Sequence, residues 1–167
     1  MADLIGYIAL GITVFALVRK DATHLLLLIS VGVFLWGIHY WLLGSFSGAI
    51  VHFIAGVGIF LAHATFNSVL GLRVTLATAF ILLGTTGALY SGITAANVLA
   101  AFGGATMTLS QYVFRGKQMR QGFVVGEVAL FGFAFLLGSV PGMLVTVANI
   151  GAGLVGLVRV NSVAEAR

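Results

Sequence analysis

The sequence predicts an all-α membrane protein whose seven transmembrane helices form two parallel three-helix bundles joined by a linker helix (3+1+3). Three observations support this fold class: the composition, the positions of the basic residues and an internal repeat. Of the 167 residues, 60% are hydrophobic and 7% are charged, whereas soluble domains carry about 25% charged residues. The chain cannot cover itself with a solvated surface, so an integral membrane protein is the class that fits.

Apolar runs separated by short polar or glycine-containing turns define the seven spans in order. The first run follows Asp3 and lacks the basic start of a signal peptide. Turns at 44–48, 90–94 and 138–142 lie on one side, and polar stretches at 19–23 and 115–121 lie on the other. The predicted spans are 4–18, 24–43, 47–62, 69–90, 95–114, 122–137 and 140–160. Several are shorter than the roughly 20 residues that cross a bilayer, so their bounds carry an error of a few residues.

All eight basic residues fall on one side of this seven-span topology. They follow spans 1, 3 and 5 or lie at the C-terminal end: Arg19, Lys20, Arg73, Arg115, Lys117, Arg120, Arg159 and Arg167. Cytoplasmic loops are enriched in Lys and Arg. The N-terminus is therefore predicted to be external and the C-terminus cytoplasmic, whereas a six-helix topology would scatter the same charges over both sides.

The segment LLGS-x-x-G occurs twice, with an offset of 94 residues. The matching positions are 42–45 with 136–139, Gly48 with Gly142, Gly32 with Gly126, and Val51 with Val145. The repeat predicts a first bundle at 1–64, a linker helix at 65–92 and a second bundle at 93–167, a plan found in transporters. Gly44 and Gly138 are expected to end their helices in the left-handed conformation. The alternative is chance recurrence of Leu, Gly and Ser.

Parts of the chain resemble known families. Gly-Ile-His-Tyr-Trp-Leu-Leu-Gly-Ser at 37–45, followed by a short glycine turn, resembles the bacterial inner-membrane YgjV family. The 3+1+3 order and the segment Asn-Ile-Gly-Ala-Gly-Leu-Val-Gly-Leu at 149–157 resemble the SWEET, SemiSWEET and PQ-loop superfamily. These resemblances imply a bacterial inner-membrane location, a transporter fold and a substrate contact for Asn149 near mid-membrane. The position that matches Asn149 in the first repeat is Ala55.

Polar residues inside the spans form a candidate substrate site. Ionisable groups are costly in a bilayer and usually face a cavity or a partner. At the 94-residue offset, His52 pairs with Thr146 and Ala55 with Asn149, so these positions are expected to form two layers of one central cavity. The predicted substrate-binding residues are His52, Asn149, Thr146, His39 and Trp36, with His39 near the external mouth. The alternative is that the histidines are packed residues and that Asn149 bonds neighbouring helices.

Glu127 is the only carboxylate within a predicted span. It follows Arg120 by seven residues, which places it about 10 Å into the sixth helix. Gln111, on the fifth helix, lies at a comparable depth from the same side. Glu127 and Gln111 are therefore a candidate proton or cation site, and the alternative is a neutral acid hydrogen-bonded to Gln111.

These features favour a transporter or facilitator that moves a small polar solute by alternating access between the two repeats. The alternative is a non-transporting subunit that packs against a larger membrane complex. The chain has no cysteine, no HExxH motif and no paired carboxylates, so no enzyme activity, metal or cofactor is predicted. The basic residues form no patch for nucleic acid. Expected partners are the lipid bilayer, the solute, and another membrane protein or a second copy of the chain.

Overall fold

Seven α-helices account for most of the described chain. The structure, a computed structural model, describes residues 1–18, 22–65 and 68–165. The helices are α1 (Ala2–Val18), α2 (Ala22–Leu42), α3 (Phe46–Ala64), α4 (Leu70–Leu89), α5 (Ala95–Tyr112), α6 (Gly116–Leu136) and α7 (Val140–Glu165). Within the residues that the structure describes, three segments are long and apolar enough to cross a membrane: Phe46–Ala64, Leu70–Leu89 and Lys117–Leu136. The predicted all-helical class and the number of helices are confirmed over the described residues.

Two helices extend beyond their predicted spans by about five residues or more. Helix α6 begins at Gly116 rather than at 122, and α7 ends at Glu165 rather than at 160. The added segments are polar, and the prediction followed apolar runs alone. Lys, Gln, Arg and Glu are good helix formers, so the backbone stays helical where the side chains stop being apolar.

The helices pack as a ring of six with α4 outside it. Within the described residues, consecutive helices are in contact along the chain, and two further contacts join α3 to α5 and α1 to α7. Helices α1, α2, α3, α5, α6 and α7 therefore close on themselves. Helix α4 packs on α3 and α5, and its buried residues are Ala77 and Ala88. Large apolar side chains such as Phe60 and Leu82 remain exposed, as expected for a surface that faces lipid.

The repeated LLGS-x-x-G segment forms the same turn twice, at 42–46 and 136–140. Gly44 and Gly138 have φ angles of 78° and 67°, which confirms the predicted left-handed helix ends. The next residue bonds back to the helix in both copies: Ser45 N to Tyr40 O and Ser139 N to Ala134 O, each 2.9 Å. This is the Schellman pattern of helix termination. We call the end of the bundle that holds these two turns the turn end.

The same serines then begin the next helix. Ser45 Oγ accepts from Gly48 N at 3.2 Å, and Ser139 Oγ accepts from Gly142 N at 3.1 Å. A serine in this position satisfies a backbone donor that the first helical turn leaves free. One four-residue signal therefore ends one helix and starts another, and it does so at matching places in the chain.

Replacing Gly44 or Gly138 with alanine is expected to lower the free energy of unfolding by about 1 kcal/mol, because a Cβ is unfavourable at positive φ. The matched control is Gly84→Ala, at a helical glycine with open space around its Cβ position. That change should stabilise the protein by up to about 1 kcal/mol through helix propensity. Melting temperatures in detergent would measure both. A rise in melting temperature for all three variants would contradict the assigned turn conformation.

At the opposite end of the bundle, Tyr112 connects three helices. Its hydroxyl donates to Gly58 O of α3 at 2.7 Å, and its backbone oxygen accepts from the Arg73 guanidinium of α4. Arg115 and Lys117 lie at this end too, at the start of α6. Three of the basic residues used to predict orientation, Arg19, Lys20 and Arg167, lie outside the described residues.

Small residues bring α5 and α6 close together. A Cβ built on Gly126 would lie 3.2 Å from Gly103 O, and one built on Gly103 would lie 3.2 Å from Gly126 O. The two backbones therefore approach each other at this crossing. Glycine permits such close packing between membrane helices.

Candidate functional site

A cavity of about 120 Å³ lies among the six helices of the ring. Its lining residues come from α1, α2, α3, α5, α6 and α7. Most of the walls are apolar. The polar and aromatic residues of the lining are Thr13, Trp36, Tyr40, His52, Gln111, Phe123, Glu127, Thr146 and Asn149. Six of the seven residues predicted for a substrate or cation site line this one cavity: Trp36, His52, Gln111, Glu127, Thr146 and Asn149.

Seven pairs of lining residues stand 94 positions apart in the sequence. They are Thr13 and Met107, Ile29 and Phe123, Val33 and Glu127, Trp36 and Leu130, Val51 and Val145, His52 and Thr146, and Ala55 and Asn149. Each pair takes one member from α1–α3 and the other from α5–α7. The chemistry differs within several pairs, so the two sides of the cavity are unlike.

Glu127 and Asn149 form the polar centre of the cavity. Their side chains are 3% and 9% exposed, and Asn149 Nδ2 donates to Glu127 Oε1 at 2.9 Å. Asn149 Oδ1 is buried and accepts no hydrogen bond. Because buried polar atoms are nearly always paired, an unpaired amide oxygen on a cavity wall marks a position for a hydrogen-bond donor.

Both residues lie near the middle of the bundle. Glu127 is nine residues before the end of α6 at Leu136, and Asn149 is nine residues after the start of α7 at Val140. A rise of 1.5 Å per residue places each about 14 Å from the turn end. Glu127 is also about 16 Å from the start of α6. The depth of about 10 Å expected from the sequence was too small, because α6 begins before Arg120.

Gln111 and Thr146 line the same cavity but differ in what they can offer a ligand. Thr146 Oγ1 donates to Gly142 O and Met143 O, at 3.1 and 3.0 Å, so its proton is used within α7. Gln111 lies in the last turn of α5, toward the end opposite the turns. The side chain bonded to Glu127 is thus Asn149 and not Gln111, the partner that the sequence suggested.

His52 lies on the aromatic side of the cavity. Its Nδ1 is 2.8 Å from Gly48 O. A carbonyl oxygen only accepts, so Nδ1 carries the proton, and Nε2 is the acceptor in a neutral ring. The imidazole packs against the Tyr40 ring with centroids 4.8 Å apart.

Aromatic rings fill the space between the cavity and the turn end. Tyr40 packs against His39 and Phe133, each with centroids 5.0 Å apart, and against Trp36 at 6.1 Å. All four side chains are at most 4% exposed. We call Trp36, His39, Tyr40, His52 and Phe133 the aromatic cluster. Tyr40 was not among the predicted site residues, although it is four residues after Trp36 and so shares its helical face.

The structure places His39 outside the cavity lining. It is fully buried, its Nδ1 donates to Ala2 O at 2.8 Å, and its Nε2 is 2.8 Å from Ser139 Oγ. His39 therefore joins α2 to the starts of α1 and α7, and it is not among the residues that line the cavity. The reason is helical geometry: His39 is three residues after Trp36 and is rotated about 60° from it, toward α1 and α7.

The described side chains were also compared with the groupings that hold metal ions in proteins. No group of three His, Cys, Asp or Glu side chains within residues 1–15, 28–65 and 68–158 is arranged to hold a metal ion. The polar groups of the cavity include the Glu127 carboxyl group, the unpaired Asn149 Oδ1, the Gln111 amide and His52 Nε2, and several aromatic side chains line it too. These groups can bind a small ligand that carries hydrogen-bond donors.

The comparisons with known proteins agree with the membrane character of the helices. A family model, Imp-YgjV, described as a bacterial inner membrane protein, matches residues 1–163. Neither the search of the curated proteins nor the search of the solved structures found a match. Because the family model covers nearly the whole chain, the protein belongs to the Imp-YgjV family of bacterial inner membrane proteins.

Proposed function

We propose that the protein is a transporter or facilitator that moves a small polar solute across the inner membrane through this cavity. In this proposal α1–α3 and α5–α7 are two parallel units, α4 is the linker between them, and the units alternate in opening toward each side. The helix contacts support the arrangement. A two-fold rotation that exchanges the units would exchange the α3·α5 contact with the α7·α1 contact, and both are present.

The observation that carries the proposal is the set of seven residue pairs around one cavity. If a rotation relates α1–α3 to α5–α7, residues 94 apart are equivalent, and a cavity lined by such pairs lies on the rotation axis. The Glu127–Asn149 pair is about 14 Å from the turn end, close to half of a hydrocarbon core of about 30 Å. Transporters built from repeats bind their substrates at this place, near the midplane and between the repeats.

The aromatic cluster supports the alternation between two openings. Its rings pack between the cavity and the turn end, and they come from both units: Trp36, His39 and Tyr40 from α2, His52 from α3 and Phe133 from α6. A movement of one unit against the other would separate Tyr40 from Phe133. The solute would then reach Glu127 and Asn149 from the turn end.

The orientation belongs to the same proposal. Arg73, Arg115, Lys117 and Arg120 lie at or near the end opposite the turns, and the positive-inside rule makes that end cytoplasmic. The turn end and the N-terminus are then external. A 3+1+3 arrangement of this kind would also relate the chain to the SWEET, SemiSWEET and PQ-loop superfamily.

Single cysteines can test access to the cavity, since the chain has none of its own. The probe position is Ala55, which lines the cavity. Its controls are Ala100, which is fully buried in the core, and Leu83, which is 59% exposed on α4 and faces lipid in this arrangement. We expect Ala55→Cys to react with a charged thiol reagent added to either face of the membrane, in right-side-out and in inverted vesicles. Ala100→Cys and Leu83→Cys should react at least tenfold more slowly.

Labelling of Ala55→Cys from each face of the membrane distinguishes a solute pathway from a closed pocket. Reaction of Ala55→Cys from neither face would contradict a solute pathway and favour the non-transporting subunit. Reaction from one face alone would leave a binding pocket without a path. Only reaction from both faces agrees with transport, and the melting temperature of each variant shows whether it is folded.

A further inference from the structure

We infer that the ligand of the cavity is a small organic cation, an ammonium group on a short apolar body, which takes the place of a proton on Glu127. This inference rests on the proposed function and names the substrate class. Three features carry it: an acid without a cation, an unpaired acceptor beside it, and walls that suit an apolar body. Each is a property of described side chains.

The first feature is the charge balance of the cavity. Glu127 is 3% exposed, and its bonded partner Asn149 is a neutral amide. None of the described residues that line the cavity is Lys or Arg. A carboxylate so far from water needs a cation to remain ionised. Since the cavity wall supplies none, the empty cavity favours a protonated Glu127, and a bound cation would let Glu127 ionise.

Two basic residues precede Glu127 on its own helix, about two to three turns away along the helix axis. Lys117 and Arg120 lie on α6, ten and seven residues before Glu127, which is about 15 and 10 Å along the helix. The other titratable groups at the cavity are His52 of α3 and Tyr40 of α2. Tyr112 of α5 donates its hydroxyl to Gly58 O. None of these is a permanent positive charge beside Glu127.

The second feature is the pair of acceptors. Asn149 Nδ2 is used in the bond to Glu127, while Asn149 Oδ1 is buried without a partner. An ammonium group has only donors to offer, and here it would meet a carboxylate oxygen and an amide oxygen. A ligand group that only accepts would leave Oδ1 unpaired.

The third feature is the shape and chemistry of the walls. A volume of about 120 Å³ has room for about five non-hydrogen atoms, since a cavity of 150 Å³ holds benzene. Trp36, Tyr40 and Phe123 present aromatic rings to this space, and aromatic faces attract ammonium groups. Val33 and Leu130 contribute apolar surface. A hydrated metal ion would gain little from such walls.

The exchange balances in charge. The ligand enters as R–NH₃⁺ and Glu127 releases H⁺ as it becomes a carboxylate, so the loaded and unloaded cavities carry the same net charge. No covalent bond other than the O–H bond of Glu127 changes. Movement of the amine in one direction would then be linked to movement of a proton in the other.

The test uses the purified full-length protein in detergent and n-butylammonium chloride, whose cation has five non-hydrogen atoms. Calorimetric titration in two buffers of different ionisation enthalpy gives the affinity and the number of protons released. We expect butylammonium to bind at least tenfold more tightly than 1-butanol, with about one proton released per ligand. The affinity should rise about tenfold between pH 6 and pH 7 while Glu127 is protonated in the free protein. Glu127→Gln should release no proton and bind at least tenfold more weakly.

Control variants separate the acid from its surroundings. Asn149→Ala should weaken binding and keep the proton release. His52→Gln should keep the release too, and Thr78→Val, on the exposed face of α4, should match the unchanged protein. The inference is overturned if butanol binds as tightly as butylammonium, or if sodium ions bind in its place with the same affinity. It is also overturned if His52→Gln abolishes the proton release while Glu127→Gln retains it.

Failure of this inference is distinguishable from failure of the proposed function. If neither amine nor alcohol binds while Ala55→Cys still reacts from both faces, the pathway stands and the ligand class is wrong. If Ala55→Cys is unreactive from both faces, the proposed function has failed as well.

Discussion

Replacing His39 with alanine is expected to lower the free energy of unfolding by about 3 kcal/mol or more. The change removes a fully buried ring and leaves a cavity. It also removes a donor to Ala2 O and one partner of Ser139 Oγ, which keeps its bond from Gly142 N, and each lost hydrogen bond adds about 0.5–1.5 kcal/mol. Thermal melting in detergent, followed by the loss of helical circular dichroism, would measure the effect.

Two further variants serve as comparisons for the His39→Ala protein. His39→Phe introduces the residue found 94 positions later, Phe133. It should recover the packing and not the hydrogen bonds, and so give a melting temperature between those of His39→Ala and the unchanged protein. His63→Ala, in the last turn of α3 and half-buried, is the control and should change little. If the His39→Ala and His63→Ala proteins had the same melting temperature, the structural role of the His39 ring would be refuted.

The second large effect is expected at the crossing of α5 and α6. An alanine at position 126 would place its Cβ 2.7 Å from Met107 Cγ and 3.2 Å from Gly103 O. A side chain can move, but a backbone oxygen moves only with its helix. Gly126→Ala should therefore separate α5 from α6 and destabilise the protein by about 1–3 kcal/mol.

The repeat supplies a matched control for Gly126. Gly32 occupies the equivalent position, and a Cβ built there lies 3.0 Å from Thr13 Oγ1 and 3.9 Å from Ala9 O. Its nearest neighbour is thus a side-chain atom, and the backbone is farther away. Gly32→Ala should have a smaller effect than Gly126→Ala in the same melting assay. Equal melting temperatures would show that the α5–α6 crossing is no tighter than the α1–α2 crossing.

The sequence was most informative where the repeat could be used. The offset of 94 residues placed His52, Thr146, Ala55 and Asn149 at matching positions, and all four line one cavity. The turn at Gly44 and Gly138 was also predictable, because positive φ and a following serine cap are local properties. The role of His52, Thr146 and Asn149 in binding a solute remains a prediction.

Helix rotation was the part that the sequence could not give. A membrane helix is apolar on the side that faces lipid and largely apolar on the side that faces the core, so the pattern barely distinguishes the two. His39 and Tyr40 show the result. They are adjacent in sequence, yet Tyr40 lines the cavity and His39 bonds Ala2 and Ser139. The partner of Glu127 was missed for the same reason, since Asn149 and Gln111 cannot be ranked without the rotations of α5 and α7.

The pairing of Val33 with Glu127 bears on how a single acid can exist at such a place. If two identical three-helix proteins associated about a two-fold axis, every residue near the axis would occur twice, and an acid would face its own copy across the cavity. Two carboxyl groups in one small space oppose each other's ionisation. In the proposed arrangement one chain carries both units covalently, so each can mutate separately, and position 33 is valine while position 127 is glutamate. On that proposal, gene fusion would turn a paired acid into an unpaired one.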